Sequence, residues 1–230
     1  MKVIGLIGGM SWESSLEYYR IVNEKTKAIL GGFSSSKCLM YSVDFAEVES
    51  LQHSNDWDQL NKLMVDAATK LYNGGAEIIV LCTNTMHLCS EAIIKAVPIP
   101  FLHIVEATGE AIIGNKVEKV GLLGTKFTMT SAFYQDILKN KYQIETITPN
   151  EEDQEEVHRI IYEELVLGKI SDSSRETYRE VIRRLQDRGA QGVILGCTEI
   201  PLLISNEDVE IPTFDTTRIH AERAVEWAVR

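Results

Sequence analysis

The chain has 230 residues, of which 44% are hydrophobic and 25% charged, as in an ordinary globular protein. A formal net charge of −11 without a basic cluster argues against nucleic acid or an anionic membrane as a partner, although a local pocket for a small anion is not excluded. No apolar run reaches the roughly 20 residues of a membrane helix, and the first run breaks at Gly8 and Gly9, too early for a signal peptide. The four cysteines lack disulfide-scaffold spacing, so we predict a cytoplasmic protein with reduced thiols.

The first half of the chain alternates between strand and helix patterns. Residues 3–9 form a short apolar run typical of a buried strand, and Ser11 and Ser14 are candidate N-caps of a helix that ends near Leu30. Residues 57–72 carry apolar side chains at helical spacing. The other elements predicted in this half are strands at residues 38–44, 77–82 and 100–104 and helices at residues 86–95 and 106–113.

The strand pattern restarts near residue 118, where residues 120–125 resemble residues 4–9. The elements predicted in the second half are strands at residues 120–125, 143–147 and 191–195 and helices at residues 130–138, 151–167, 173–188 and 217–230. Strands that alternate with helices of this length predict βαβ units and parallel sheets.

One segment of the sequence occurs twice. Residues 74–85 and residues 188–199 each contain an apolar run that follows a glycine turn and ends in small polar side chains, and their alignment pairs Thr83 with Cys197. The sequence therefore predicts the α/β class, with two pseudo-symmetric α/β subdomains whose parallel sheets face one another across a central cleft. The predicted bounds are residues 1–104 with 217–230 for the first subdomain and 105–216 for the second.

Thr83 and Cys197 each follow the carboxyl end of a predicted strand, which is the edge where α/β sheets bind ligands. Their equivalent positions predict that they lie on opposite walls of the cleft. A helix N-terminus after each strand supplies N–H groups and a positive dipole end, which suit a carboxylate and lower the pKa of a thiol. Two bases beside an anion site suit removal of the α-proton of an amino acid from one face and its return to the other.

Four segments, in order along nearly the whole chain, carry a family resemblance: GLIGGMSW at residues 5–12, TNTMH at residues 83–87, GLLGT at residues 121–125 and GCTE at residues 196–199. The chain resembles the aspartate/glutamate racemases, in a group that includes hydantoin racemases and arylmalonate decarboxylases. The resemblance implies an isomerase that racemises acidic amino acids, as small-molecule substrates, without pyridoxal phosphate, any other cofactor or a metal, and that forms a homodimer. Aspartate and glutamate are then the leading substrates.

The sequence departs from the family pattern at the first catalytic position. Family members generally pair two cysteines, and the first of these falls on Thr83. Cys82 lies one residue too early, and because side chains alternate across a strand, its thiol should point to the opposite face. Cys82 is therefore predicted to be a core residue, as are Cys38 and Cys89.

The resemblance implies that the Cys197 thiol faces the α-hydrogen of the L-enantiomer. We hypothesise that Cys197 deprotonates the L-substrate and that Thr83, directly or through a water molecule, reprotonates the other face. Thr83 is a weak base, because a hydroxyl is far less acidic than a thiol. The enzyme is therefore expected to act mainly on L-amino acids, with a one-sidedness that is kinetic because equilibrium requires reversibility.

Seven further residues are candidates for substrate binding: Met10, Gln52, Asn84, Thr85, Thr125, Thr198 and Glu199. The asparagine and threonines near the two catalytic positions suit the α-carboxylate, or else they act as helix caps and turn residues. Glu199 is a candidate to bind the α-ammonium group or to adjust the reactivity of Cys197. The alternative is an exposed acid in the first turn of a helix, where it interacts favourably with the helix dipole. Met10 and Thr125 follow the first strand of each subdomain, where they line the pocket, although Met10 is equally compatible with the core.

Recognition of the distal carboxylate is the least specified part of the site. A lysine that acidic-substrate relatives carry falls on Val166 in this sequence, and the nearby Lys169 is typical of exposed surface. Gln52, predicted on the loop after the second strand, suits that carboxylate through its amide. A broader substrate range is therefore compatible with the sequence.

Four functions other than racemisation can be compared with the sequence. A dinucleotide site after the first strand lacks the G-x-G-x-x-G pattern, and a metal site built from Cys82, His87 and Cys89 has no recognised zinc spacing. A sensor that binds amino acids without catalysis is favoured by the missing first thiol. A decarboxylase or another isomerase of the same group is also compatible, since one cysteine suffices to deliver a proton.

Overall fold

The computed structural model describes residues 1–230. The chain divides into two compact units: Met1–Ile104 with His220–Arg230, called unit 1, and Val105–Ile219, called unit 2. None of its helices combines the length and apolar character required to cross a membrane.

Unit 1 alternates strands and helices, except that two helices follow one another between its second and third strands. In chain order its elements are β1 (Ile4–Gly8), α1 (Trp12–Leu30), β2 (Cys38–Ser42), α2 (Phe45–His53), α3 (Trp57–Asn73), β3 (Ile78–Leu81), α4 (Ser90–Ala96) and β4 (Phe101–Leu102). A 3-10 helix at Thr85–Cys89 leads directly into α4.

Unit 2 repeats this pattern with small changes. In chain order its elements are α5 (Ile104–Gly114), β5 (Lys119–Leu123), α6 (Lys126–Thr130), α7 (Ala132–Tyr142), β6 (Glu145–Ile147), α8 (Glu151–Glu163), α9 (Asp172–Asp187), β7 (Gly192–Leu195), β8 (Thr213–Asp215) and α10 (Thr216–Ala228). Short 3-10 helices lie at Leu165–Leu167 and Ile200–Leu202. The first residue of α5 belongs to unit 1, and so do the residues of α10 from His220 onward.

Each unit contains one four-stranded sheet, and all of its strand pairs are parallel. The strand order is β2-β1-β3-β4 in unit 1 and β6-β5-β7-β8 in unit 2, so the two sheets share one topology. Parallel strands require helical crossovers that cover the sheet faces, which explains why the central strands are uninterrupted apolar runs. The predicted α/β class with two similar parallel sheets is confirmed.

Side-chain alternation in unit 1 decides which face Cys82 occupies. On β1, Ile4 and Leu6 pack in one apolar cluster, whereas Ile7 packs in another. Val80 of β3 and the following alternate residue, Cys82, both belong to the cluster of Ile4 and Leu6, and Cys82 is fully buried. Burial and the neighbouring Cys38 raise the pKa of the Cys82 thiol well above its usual range. The prediction that Cys82 is a core residue is confirmed.

The observed bounds of some helices agree with the predicted bounds, and those of others differ because of the local backbone conformation. The first helix is confirmed, with the Ser11 hydroxyl accepting the Ser14 N–H at 3.3 Å as its N-cap. The helix predicted at residues 130–138 is observed as α7, which begins after the extended residue Ser131, and the short helix α6 before it was not predicted. The helix predicted at residues 151–167 leaves the α conformation after Glu163, at the end of α8.

Gln52 lies on a helix that the sequence pattern does not reveal. The Asp44 carboxylate accepts the Ala46 N–H at 3.1 Å and begins α2, which contains Gln52. Val48 is the one fully buried side chain of this nine-residue helix, so α2 shows little apolar periodicity. The prediction that Gln52 lies on a loop is therefore wrong.

Candidate active site

The turn after β1 is built on a glycine that no other residue can replace without strain. Gly9 has a φ of 94°, and a Cβ there would overlap the Val43 carbonyl oxygen. The Gly9 N–H donates to the Ser15 hydroxyl at 2.7 Å, which ties the turn to α1. Met10 follows and is buried in an apolar cluster of unit 1, 7% exposed. Its side chain contributes to packing, and a pocket role stays a prediction.

Thr83 lies at the carboxyl end of β3, where the chain turns into a 3-10 helix. Its side chain is half-buried. Its N–H donates to the Leu81 carbonyl at 2.9 Å, and its own carbonyl accepts a hydrogen bond at 2.7 Å from Nδ1 of His87. Hydrogen bonds on both sides of the Thr83 Cα therefore fix the direction in which the side chain leaves the backbone.

Asn84 and Thr85 continue this turn. Asn84 is 4% exposed and precedes the 3-10 helix, but its side chain does not cap that helix. Thr85 is half-buried and is the first residue of the helix. Both polar side chains thus lie beside Thr83 at the strand end, the edge where parallel sheets bind ligands.

Two glycines bring the ends of β5 and β7 close together in unit 2. The Gly196 N–H donates to the Leu123 carbonyl at 2.7 Å, and a Cβ on Gly196 would lie 2.7 Å from the same oxygen. A Cβ on Gly124 would lie 3.1 Å from the Gly196 carbonyl. Side chains at either position would push the two backbones apart, and Cys197 follows directly.

Cys197 is half-buried and forms a compact polar group with the next two residues. Its thiol donates to Oε2 of Glu199 at 3.0 Å, and the Thr198 hydroxyl donates to the same oxygen at 2.7 Å. Glu199 is 7% exposed. The Ile200 N–H donates to the Cys197 carbonyl at 3.2 Å and begins the short 3-10 helix.

The surroundings of Cys197 favour its thiol form over the thiolate. Burial first, and then the charge and hydrogen bond of the Glu199 carboxylate, raise the pKa of Cys197 well above its usual range, while the backbone N–H groups of Thr198 and Glu199 lower it by less. The expectation that a helix N-terminus lowers this pKa is wrong. The following element is only the 3-10 helix Ile200–Leu202, which is too short to develop a helix dipole.

Replacing Glu199 by glutamine is expected to lower the pKa of the Cys197 thiol, because the negative charge beside the sulfur is removed. The amide oxygen of glutamine still accepts the S–H hydrogen bond, so the local structure is retained. The pH dependence of iodoacetamide alkylation of Cys197, followed by mass spectrometry of its peptide, measures the shift. Glu207→Gln is the matched control, since Glu207 is exposed and contacts Ser205. An unchanged alkylation profile in Glu199→Gln would mean that burial alone sets this pKa.

The similarity to known proteins extends along the whole chain. The Asp/Glu/Hydantoin racemase family matches residues 7–224. The chain belongs to this family. A solved structure of a candidate Asp/Glu racemase from Yersinia pestis is 51% identical, covers 100% of both chains and has a TM-score of 0.95. That of an aspartate racemase homologue from Pyrococcus horikoshii OT3 is 38% identical with the same coverage and a TM-score of 0.90. The broad specificity amino-acid racemase RacX of Bacillus subtilis (strain 168) is 26% identical over 97% of this chain and 96% of RacX.

Within this racemase-family chain the predicted residues form one group in each unit. In unit 1, Thr83, Asn84 and Thr85 are consecutive at the end of β3. In unit 2, Cys197, Thr198 and Glu199 are consecutive after β7. Both groups occupy the same place in the shared topology, since β3 and β7 are the third strands in order of the two sheets.

The remaining predicted substrate contacts have defined structural partners. The Thr125 hydroxyl accepts the Thr128 N–H at 3.4 Å as the N-cap of α6, at the end of the strand that pairs with β7. The Gln52 amide donates to the Met86 sulfur at 3.2 Å, within the same unit as Thr83. Thr125 therefore has a capping role in this racemase-family chain, and Gln52 lies against the residue three positions after Thr83.

The position of the lysine that acidic-substrate relatives carry holds an apolar side chain, and the nearest lysine in sequence lies at the surface. Val166 lies in the 3-10 helix Leu165–Leu167 and packs against an apolar cluster of unit 2. Lys169 is exposed. Neither residue contributes a buried positive charge, so Gln52 stays the predicted partner of the distal carboxylate.

The metal and dinucleotide alternatives lack support in the structure. Both ring nitrogens of His87 are hydrogen bonded to backbone, and Cys82 and Cys89 are fully buried with raised thiol pKa values, that of Cys89 to about 12. These side chains form no group suited to a metal ion. The turn at Gly9 accommodates the Val43 backbone instead of the phosphate groups of a dinucleotide.

His87 is the residue near the site that has no predicted catalytic role. In the sequence it is the last residue of the TNTMH segment and a member of the metal alternative, and in the structure its ring nitrogen binds the Thr83 carbonyl. The available signal was its spacing, since it follows Thr83 by four residues, about one helical turn.

Proposed function

We propose that this chain racemises acidic amino acids without a cofactor, with Cys197 acting on the L-enantiomer of aspartate or glutamate. Membership of the Asp/Glu/Hydantoin racemase family supports the reaction class, and the relative from Pyrococcus horikoshii OT3, an aspartate racemase homologue, supports the substrate class. The observation that carries the proposal is the Cys197 thiol held against the Glu199 carboxylate at the end of β7. A thiol paired with an acceptor for its proton is the arrangement that a sulfur base requires.

In the proposed first step, the Glu199 carboxylate accepts the thiol proton and the Cys197 thiolate removes the α-proton of the L-substrate. The C–H bond breaks, an S–H bond forms, and the electron pair remains on the substrate as an enolate-like carboxylate. Hydrogen-bond donors beside the two catalytic positions stabilise the charge that develops there. The donors assigned to this role are Asn84, Thr85 and Thr198.

In the proposed second step, the Thr83 hydroxyl delivers its proton to the opposite face of the α-carbon, either directly or from a water molecule that it orients. The hydroxyl is restored by a proton from solvent, Glu199 releases to solvent the proton that it took from Cys197, and the D-enantiomer is the product. In reverse, Thr83 must accept the α-proton of the D-enantiomer, a task for which a hydroxyl is poorly suited. The step at Thr83 is therefore the slower of the two.

An asymmetric pair of acid and base groups does not make racemisation one-directional. The equilibrium constant of a racemisation is one, so kcat/KM must be the same from either enantiomer. The asymmetry appears instead in exchange with solvent. Cys197 removes and returns the α-proton of the L-enantiomer many times for each inversion, whereas the D-enantiomer exchanges only as fast as it racemises.

Proton NMR in deuterated water tests this proposal on L- and D-aspartate and L- and D-glutamate in separate samples. We expect the α-proton signal of each L-enantiomer to disappear faster than the D-enantiomer accumulates. For the D-enantiomers the two rates should be equal. Faster α-exchange than racemisation from the D side, with equal rates from the L side, would reverse the assigned roles of Cys197 and Thr83.

A non-catalytic amino-acid sensor is the second candidate, because burial and the Glu199 carboxylate raise the pKa of the Cys197 thiol and the other position carries only a hydroxyl. A sensor would bind the same amino acids, with saturation visible by calorimetry, while the α-proton of both enantiomers stays unexchanged. A decarboxylase of the same group would instead release carbon dioxide from a substrate with two carboxylates on one carbon. The exchange experiment therefore separates the racemase from both alternatives.

A further inference from the structure

Three histidines of unit 1 form a cluster close to Thr83 that the proposed mechanism leaves unused. The ring centroid of His87 lies 4.7 Å from that of His103 and 5.7 Å from that of His220. Phe101 contacts the same ring edge-on at 5.5 Å. His87 and His220 are fully buried. Buried imidazoles are costly unless both ring nitrogens find partners, so their hydrogen bonds report what each ring does.

The partners of His87 determine its tautomer. Its Nδ1 lies 2.7 Å from the Thr83 carbonyl oxygen, which can only accept, and so Nδ1 carries the proton. Its Nε2 accepts the Ile104 N–H at 3.1 Å. Burial and the neighbouring His103 and His220 hold the pKa of His87 well below its usual range, which keeps the ring in this neutral form.

His220 has the opposite tautomer and different partners. Its Nε2 donates to the Leu102 carbonyl at 2.9 Å, and its Nδ1 accepts the Tyr18 hydroxyl at 2.9 Å. Burial lowers the pKa of His220 to about 3. His220 is thus as buried and as well bonded as His87, but its two ring nitrogens bind groups other than Thr83.

The hydrogen bond from His87 acts on the backbone of Thr83. The Thr83 N–H is already fixed by the Leu81 carbonyl, and the bond from Nδ1 fixes the carbonyl on the other side of the same Cα. The directions of N and C at a Cα determine the direction of its Cβ. The Ile104 N–H holds the other nitrogen of the His87 ring, so the ring links the end of β3 to the residue that begins α5.

We propose that His87 is a positioning residue that aims the Thr83 hydroxyl, through the Nδ1–H donated to the Thr83 carbonyl. This inference rests on the proposed function, because it gives the hydroxyl a task that requires aiming. The imidazole takes no proton from substrate and does not change charge during turnover. Loss of its Nδ1 donor should slow delivery of the proton by Thr83 and leave deprotonation by Cys197 unaffected.

Two substitutions separate the functions of the two ring nitrogens. In His87→Asn the amide nitrogen occupies the place of Nδ1 and still donates to the Thr83 carbonyl. In His87→Gln the amide oxygen occupies the place of Nε2 and still accepts from Ile104, but the donor to Thr83 is lost. We expect racemisation by His87→Gln to fall about 10- to 100-fold, the effect of a small misplacement of a reacting group. L-exchange should stay within about threefold of the unsubstituted chain, and His87→Asn should retain both rates.

His220→Asn is the matched control, because it removes an equally buried imidazole that does not contact Thr83. The readout is the ratio of L-exchange to racemisation, which a general loss of stability does not change. The proposal is overturned if His87→Asn and His87→Gln alter that ratio equally, or if His220→Asn raises it as much as His87→Gln does. If the unsubstituted chain shows neither exchange nor racemisation, the proposed function has failed instead, which is a different result.

A spectroscopic measurement on the unsubstituted chain covers the case in which the substituted chains do not fold. Long-range ¹H–¹⁵N NMR spectra distinguish a protonated Nδ1 from a protonated Nε2 in each histidine. We expect His87 to keep the Nδ1–H form and His220 the Nε2–H form throughout the pH range in which the enzyme is active. An Nε2–H form of His87, or a His87 that titrates within that range, would remove the bond to Thr83 and with it the proposal.

Discussion

Replacing Cys197 by alanine is expected to abolish both racemisation and α-proton exchange of L-aspartate and L-glutamate. A positioned acid or base group contributes about 10²- to 10⁴-fold to the rate of a proton transfer, and Cys197 is the group assigned to this one. Cys197→Ser should be almost as inactive, because a hydroxyl in the same place is far less acidic than a thiol. Initial exchange rates in deuterated water measure both losses.

Cys82→Ala is the control for the loss of a thiol. Cys82 is adjacent to Thr83 in sequence, but it is fully buried in the apolar cluster on the other face of the sheet. Its removal should cost stability, about 1 kcal/mol for a small buried side chain, and leave the exchange rate of the folded enzyme unchanged. Loss of activity in Cys82→Ala together with retained activity in Cys197→Ala would show that the catalytic sulfur has been misidentified.

The strand tips were accessible to sequence reasoning because they depend on short-range patterns. Buried parallel strands are apolar runs, and a repeated run placed Thr83 and Cys197 at equivalent ends of β3 and β7. Alternation of side chains across a strand then assigned Cys82 to the core, as the structure shows. Both inferences need only the apolar run of a buried strand and the two-residue alternation of its side chains, and both can be read from the sequence.

The properties of the thiol depend on contacts that sequence periodicity does not encode. The pKa of Cys197 is raised first by burial and then by the Glu199 carboxylate, and both depend on how the chain packs around the sulfur. The chain forms only the three-residue 3-10 helix Ile200–Leu202, with a proline in its first turn, and the Glu199 carboxylate folds back onto the sulfur. The sign of the pKa shift is therefore opposite to the one predicted from the motif.

Long-range pairing explains the residues that were missed. His87 binds Ile104, which is 17 residues away, and His220 binds Tyr18, which is 202 residues away in sequence. Such partners are fixed by the packing of whole elements, so a single histidine in a motif reveals little about its role. Gln52 was misplaced for a different reason, since α2 buries only Val48 fully and lacks the apolar stripe that marks a helix.

Replacing Thr83 by cysteine is expected to raise racemisation about 10-fold or more, because a thiol is a far better proton donor and acceptor than a hydroxyl at this step. The increase must appear equally in kcat/KM from both enantiomers, since the equilibrium constant stays at one. What differs between the two enantiomers is the rate at which the α-proton exchanges with solvent. The D-enantiomer should gain α-exchange faster than its racemisation, and the excess of L-exchange over racemisation should shrink. Paired NMR time courses from L- and D-aspartate give both ratios.

Two further substitutions at the same position show whether the hydroxyl itself acts. Thr83→Val keeps the shape of the side chain and removes the oxygen, so L-exchange should continue while racemisation is lost, and the ratio of the two should rise above that of the unsubstituted chain. Thr83→Ser keeps the hydroxyl and should preserve that ratio. If Thr83→Val racemises as fast as Thr83→Ser, protonation of the second face comes from a solvent molecule or another side chain. The Thr83 hydroxyl would then have no part in the proton transfer. Faster racemisation by Thr83→Cys would in that case come from the new thiol acting in addition to the group that already protonates this face.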